Sequence, residues 1–455
     1  MKIAVLGGGL TGLTAAWKAS AAGHAVRLLE SGPRLGGAVR TEFIDGWRVE
    51  GGPNSFRAST PETRAILGEL GLDAQTINPD SAARNRYVVI GNRLVAVPQT
   101  SSPKELMASP LLGMGAKIRL ASEASFKPRI RREDVSVADF AREHFGDQAL
   151  ERLGQPLVSG IWAGDAERLS LRQAFPQAWE AERTTGSLLR AMADASRARK
   201  EQGLPAAQEM VSFRGGMQAL PDALAARLPP GSVELNAGVR SILPGAGSRW
   251  CVAWEGAGGP ERDEFDWVLA AIPGHGLAQL EIGSPGSHPL SGLAGIEYPP
   301  VASVFVGYRR DQVQHPLDGF GALVPAVDKR SILGVIFTSS LFPGRAPAGH
   351  VALTALAGGA LNPGIVGLPP GKLNALVCED LGALLGARGE PAFLHHTLWP
   401  RGIPQYNLGY ERHIQTIAGC EASHPGLLIG GSARDGIAIP ECLASGVKMA
   451  ARALA

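Results

Sequence analysis

The first twelve residues constrain this chain most. Lys2-Ile3-Ala4-Val5-Leu6 is a short apolar run that breaks into Gly7-Gly8-Gly9-Leu10-Thr11-Gly12, a Gly-x-Gly-x-x-Gly pattern. It continues as Leu13-Thr14-Ala15-Ala16-Trp17, small and apolar at helical spacing. This reads as a buried parallel strand turning into a helix. Gly7 permits the tight turn, Gly9 lets backbone approach a pyrophosphate, and Gly12 lets helix and strand pack closely. The unpaired N–H groups of the helix start favour a phosphate there. The next strand pattern, Ala25 to Leu29, ends in Glu30, where a carboxylate can bind the ribose hydroxyls of an adenosine cofactor. Strand, helix, second strand and terminal acid make this a dinucleotide-binding unit.

A chain of 455 residues exceeds one small core, so two or three domains are expected. With 45% apolar and 19% charged residues, it has the composition of a globular protein. Lys plus Arg less Asp plus Glu is 44 − 42 = +2, which points to no nucleic acid or other polyanion as partner. Cys251, Cys378, Cys420 and Cys442 are scattered without Cys-x-x-Cys spacing, as expected of reduced thiols. No leader pattern precedes the first strand, and no apolar run reaches the about eighteen residues of a membrane span. The expectation is a cytoplasmic protein. His395 and His396 are the one histidine pair, but neighbours in a strand point to opposite faces, so no metal site is expected.

After Glu30 comes Ser31-Gly32-Pro33-Arg34-Leu35-Gly36-Gly37-Ala38, a second glycine pair that a plain nicotinamide dehydrogenase does not need. In two-dinucleotide-binding flavoproteins an Arg-x-Gly-Gly turn here lies beside the FAD pyrophosphate. Glu50-Gly51-Gly52-Pro53-Asn54-Ser55-Phe56 is another backbone-rich loop, suited to lie against an isoalloxazine ring. Val233 to Arg240 reads as one edge strand, and Asp266 to Pro273 as the last strand of the nucleotide-binding sheet. Leu427 to Gly446 reads as strand, glycine loop and small-residue helix.

The glycine-proline loop at 51–56 resembles that of the protoporphyrinogen oxidases. So do Gly160-Ile161-Trp162-Ala163-Gly164-Asp165, Gly319-Phe320-Gly321-Ala322-Leu323-Val324-Pro325, Leu333-Gly334-Val335-Ile336-Phe337 and Ile403-Pro404-Gln405-Tyr406-Asn407. The matches run in order through the chain, which resembles the FAD- and oxygen-dependent porphyrinogen oxidases. The resemblance implies an α/β protein with a two-dinucleotide-binding, Rossmann-like FAD domain (1–92, 206–284 and 396–455). It also implies a helical, membrane-associating domain (93–205) and a mixed-sheet substrate domain (285–395). The cofactor-binding residues implied are Gly7 to Gly12, Glu30, Ser31, Arg34, Gly37, Ala38, Gly52, Pro53, Asn54, Ser55, Val239 (at the adenine), Ile437, Ala438 and Ile439.

The implied reaction takes hydride from a porphyrinogen to the flavin in three two-electron rounds, with molecular oxygen as acceptor and hydrogen peroxide as product. Gly160 would admit the substrate ring, and Leu323, Ile336 and Leu356 would line an apolar slot. Relatives place a propionate-holding arginine near the Val97-Pro98 turn. This chain has none after Leu94, which leaves Arg93 or Lys104 to substitute. Arginines and lysines interleaved with apolar residues at 104–132 and 188–200 read either as a solvated face or as a surface for anionic lipid. The resemblance thus allows peripheral attachment to the inner face of the cell membrane, and it allows a homodimer. Readings left open are coproporphyrinogen III as substrate, an amine oxidase or desaturase on the same scaffold, and a flavin-binding protein without turnover.

Overall fold

The computed structural model describes residues 1–98, 107–203, 210–247 and 249–454. Lys2–Leu6 is the central strand of a five-stranded parallel sheet. The strand order is Val233–Leu235, Ala25–Glu30, Lys2–Leu6, Trp267–Ala270, Leu427–Ile429. Ile3, Ala4 and Val5 have no exposed surface, as a strand covered on both faces requires. The sheet therefore joins both ends of the sequence. The helices Leu10–Ala21 and Ile439–Leu454 reinforce this: a Cβ on Gly446 would stand 2.5 Å from the Thr11 carbonyl oxygen, so the two backbones nearly touch.

Two strand readings are corrected here. Val233–Leu235 is an edge strand, but Asn236, at φ 56°, turns the chain, and Gly238–Pro244 leaves for a separate four-stranded sheet. Trp267–Ala270 is not the last strand, because Leu427–Ile429 hydrogen-bonds beyond it.

A second, seven-stranded sheet is mixed. Its order is Phe393–Trp399, Val301–Arg309, His350–Gly358, Ile332–Ile336, Gly319–Leu323, Asn85–Ile90, Arg93–Ala96. The last two strands come from the early chain and straddle residue 92. One face buries Val304, Val335 and Ala355 against Leu373, Val377 and Leu381 of the helix Pro370–Leu385. The opposite face is covered in separate places. Phe305 meets Trp47 edge-on at 6.1 Å, and Val88 packs on Leu111 and Leu112. Between these covers Leu323, Ile336 and Leu356 are half-buried, although most of their strand neighbours are fully buried. These three half-buried side chains mark a candidate slot over the middle of the sheet.

Residues 107–203 are mainly helical: Met114–Glu123, Val137–Phe145, Gln155–Trp162, Pro176–Thr184 and Leu188–Glu201 are the long elements. They meet at a dry knot of charge. His144 sets its two ring nitrogens 3.0 Å from Glu123 and 3.2 Å from Glu182, and Arg131 reaches Glu182 at 2.6 Å. Glu123 also accepts from the Ser187 hydroxyl and the Leu188 N–H, both at 2.6 Å, which ties it to the start of the last helix. No helix among the described residues is long and apolar enough to cross a membrane.

Candidate functional site

The glycine motif has the geometry its spacing asks for. Gly7 turns at φ +100°, and a Cβ on Gly12 would stand 1.9 Å from the Gly7 carbonyl oxygen, so only glycine lets the helix start so close to the strand. At Gly9 the space is open: nothing lies within 4 Å of where a Cβ would be. Gly9 caps the helix Leu10–Ala21 without any side-chain cap, which leaves the first-turn amides of Leu10, Thr11 and Gly12 for an outside acceptor. Glu30 stands at the end of the second strand and accepts from Gly8 N–H at 2.6 Å and Gly32 N–H at 2.7 Å. Its neighbour Ser31 is within 3.4 Å of the same carboxylate. Ala237 N–H donates to the Glu30 carbonyl at 2.8 Å, which brings the Val239 strand to the ribose end.

Three further loops close on this motif. The Arg34 guanidinium donates to the carbonyls of Leu35 at 3.1 Å, Val39 at 2.9 Å and Gly37 at 2.7 Å, wrapping the turn around itself. Burial and then Arg40 lower its pKa. A Cβ on Gly37 would lie 3.3 Å from Gly9 Cα, and one on Gly52 only 1.9 Å from the Ala38 carbonyl oxygen. The 34–38 turn is thus packed between the glycine motif and the 51–55 loop. From the C-terminal side, Thr11 donates to the Cys442 carbonyl at 3.1 Å. The Tyr406 hydroxyl donates to Ser432 at 2.7 Å and accepts from Gly436 N–H at 3.0 Å, and Tyr410 donates to Ala433 at 2.8 Å. These phenols, pushed well up by burial, hold the loop that presents Ile437 and then Ala438 and Ile439 at the helix start. Ala438 N–H is itself taken by Glu441 at 2.9 Å.

The lining fits a flavin dinucleotide. Among the described residues, the N–H groups of Gly9, Gly37, Ala38, Gly52 and Asn54 have no hydrogen-bond acceptor, and the Asn54 Oδ1 is buried without a partner. Unpaired polar groups gathered around an open cradle call for a polar ligand. Pro53 and Ser55 complete the loop without side-chain bonds of their own.

The slot begins where this cradle ends. A single cross-strand row runs Thr397, Ser303, Leu356, Gly334, Leu323, Val88, Val95 across all seven strands. At the cofactor end, a Cβ on Gly51 would meet Thr397 Oγ1 at 2.9 Å. Ile336 lies two residues from Gly334 and so on the same face. The helix Gln155–Trp162 crosses above: Gly160 is exposed, a Cβ there would meet Leu323 Cδ2 at 2.8 Å, and Leu157 and Ile161 are exposed beside it. Gly160, Leu323, Ile336 and Leu356 are therefore brought together.

Arg93 is not among them. It sits exposed at the tip of the hairpin, paired with Ile90, and Lys104 lies outside the described residues. The arginine on the slot side is Arg86, which sequence reasoning missed. It shares a face with Val88, stacks 5.7 Å from the Phe320 ring, and has no acidic partner among the described residues. Burial and then repulsion from Arg57 lower its pKa. The available signal was an arginine two residues before Val88 at an inward strand position.

The chain matches the flavin-containing amine oxidoreductase family over residues 10–454. It is 30% identical to protoporphyrinogen oxidase 2 of Arabidopsis thaliana, covering 99% of this chain and 93% of that one. Coproporphyrinogen III oxidase of Bacillus subtilis is 28% identical, with 98% of this chain and 96% of the relative covered. The crystal structure of a protein from Exiguobacterium sp. 255-15 superposes with a TM-score of 0.83 at 26% identity, covering 99% of this chain and 98% of the other. Chain-long similarity and a cradle built for a flavin dinucleotide agree: the chain belongs to the protoporphyrinogen oxidase family of flavin-containing amine oxidoreductases and is an FAD-dependent oxidoreductase.

Proposed function

We propose that the protein oxidises protoporphyrinogen IX to protoporphyrin IX in three two-electron steps, with oxygen as acceptor and hydrogen peroxide as product. The observation that carries this reading is the slot: a flat apolar strip of Leu356, Gly334 and Leu323 that starts beside the cofactor loop and is roofed by Gly160. Such a strip suits a broad apolar macrocycle. The names of the Arabidopsis and Bacillus relatives support a porphyrinogen as that macrocycle. Bound FAD supplies the hydride-accepting chemistry. The chain's residues bind and orient: Leu323, Ile336 and Leu356 exclude water from the ring, and Arg86 pairs with a propionate. A half-buried guanidinium without an acidic partner among the described residues is well suited to a carboxylate, because the carboxylate satisfies its donors and offsets the repulsion from Arg57.

A second reading, coproporphyrinogen III, is favoured by one observation. Arg57 is exposed near Arg86 with no carboxylate partner among the described residues, which suits a substrate richer in propionates. Turnover of the two porphyrinogens in air, followed by porphyrin fluorescence and peroxide, decides. Three peroxides per porphyrin with protoporphyrinogen preferred is the expected result. No turnover of either would overturn the proposal.

We also propose peripheral attachment to the inner face of the cell membrane. Exposed Met107, Met114, Ile118, Ile130, Leu189 and Met192 lie among the arginines of the helical region, a composition suited to an anionic lipid surface. Flotation with anionic vesicles tests it: failure to float at low salt would remove the reading.

A further inference from the structure

Arg345 lies between the helix Thr338–Leu341 and the strand His350–Gly358 of the substrate sheet, and it has no exposed surface. A guanidinium buried so completely needs partners. Its Nη2 is 3.3 Å from Glu50, and it donates to the Ser212 hydroxyl at 2.7 Å and the Phe213 carbonyl at 3.2 Å. Nε and Nη1 find no partner among the described residues. Glu50 is 1% exposed and takes the Thr41 hydroxyl at 2.6 Å and Met217 N–H at 3.1 Å. Burial pushes the Glu50 carboxyl up, and Arg345 partly offsets it. A buried pair gains little net stability over apolar packing, so stability alone is a weak account of it.

The geometry gives it another task. Ser212, held by Arg345, donates its own hydroxyl hydrogen bond to the Asn54 carbonyl at 3.0 Å. At the other end of the same loop, Trp399 donates its indole N–H to the Gly51 carbonyl at 2.8 Å. Both carbonyls are therefore held by donors, while the amides of Gly52 and Asn54 are left without acceptors among the described residues.

We propose that Arg345 is a positioning residue for the cofactor: through the Ser212 hydroxyl it fixes the Asn54 carbonyl, and so presents the amides of the 52–54 loop to the flavin. The proposal rests on the placement of that loop against the flavin. It makes the flavin's surroundings depend on a residue delivered from the substrate sheet.

The test compares purified holoenzymes: wild type, Ser212→Ala, Arg345→Lys, the double variant Glu50→Gln/Arg345→Met, and Gly52→Val. FAD retention on dilution, the visible flavin spectrum, the midpoint potential and Tm are read for each. Ser212→Ala leaves the Glu50–Arg345 pair in place, so it is expected to weaken FAD retention about tenfold and to shift spectrum and potential, with a Tm lowered by the loss of two buried hydrogen bonds. The double variant removes the charge pair together and is expected to resemble Ser212→Ala in its flavin readouts. Arg345→Lys is expected to recover part of the retention and spectrum. Wild-type spectrum, potential and FAD retention in both Ser212→Ala and the double variant would overturn the proposal. If Gly52→Val also keeps its flavin, the placement of the loop has failed; if Gly52→Val alone loses it, only the relay has failed.

Discussion

Trp399 donates its indole N–H to the Gly51 carbonyl at 2.8 Å, although 348 residues separate the two. The bond joins the edge strand of the substrate sheet to the loop that borders the cofactor cradle. Thr397, on the same strand, packs under Gly51 and starts the row that continues as the floor of the slot. Cradle and slot therefore share one wall where Gly51 meets Trp399 and Thr397.

The glycine motif gives a paired prediction. Gly9→Ala adds a methyl group to open space, so the stripped protein should keep its Tm while FAD binding falls. Gly12→Ala drives a methyl group to 1.9 Å from the Gly7 carbonyl oxygen, and fold stability should fall as well. The loss expected for such overpacking is about 1–3 kcal/mol. Thermal melts with and without FAD distinguish the two.

Gly160→Val should close the slot without disturbing the cradle. The added Cβ alone lies 2.8 Å from Leu323 Cδ2, so the mouth narrows while the cofactor loops stay in place. The variant is expected to purify yellow, with kcat/KM for porphyrinogen reduced at least about tenfold. A colourless variant would mean that helix and cradle are not separable.

Arg86→Leu should raise KM more than it lowers kcat, because the residue binds a remote carboxylate and not the reacting carbon. A charged hydrogen bond of about 1.5–3 kcal/mol corresponds to roughly 10- to 100-fold in kcat/KM. Arg93→Leu, at the exposed hairpin tip, should change kcat/KM little. Steady-state kinetics on both variants checks the assignment.

The charge knot predicts an acid-labile helical region. Burial alone would raise the Glu123 carboxyl, but the bonds from His144, Ser187 and the N–H groups of Leu188 and Leu189 hold it below its ordinary value. A depressed carboxyl contributes stability that is present above its unfolded pKa of about 4.3 and lost as pH falls through the folded value. Tm should therefore drop more steeply below about pH 4 in wild type than in Glu123→Gln. Glu123→Gln itself should be destabilised at neutral pH by about 1–3 kcal/mol, since its amide nitrogen faces N–H and O–H donors and leaves a buried donor unpaired. Thermal melts of both proteins from pH 7 to pH 3 give the comparison.

Local rules were enough to read much of this protein from its sequence. The strand–glycine–helix start, the acid at Glu30 and the C-terminal strand and helix follow from hydrophobic period and glycine spacing, which neighbouring residues impose on one another. The slot residues Leu323, Ile336 and Leu356 were legible only through family resemblance, since half-buried leucines and isoleucines look like any core in a single sequence. Tertiary structure alone decided the rest. Asn236 split an apparent single strand between two sheets because a positive φ cannot be read from apolar alternation. The early hairpin Asn85–Ala96 joined a sheet built mainly from residues beyond 300, which set Arg86 and not Arg93 on the slot face. The bonds Trp399–Gly51 and Arg345–Ser212 are equally invisible in sequence. Hydrogen bonds depend on distance in space, and only the folded chain brings those groups within 3 Å of one another.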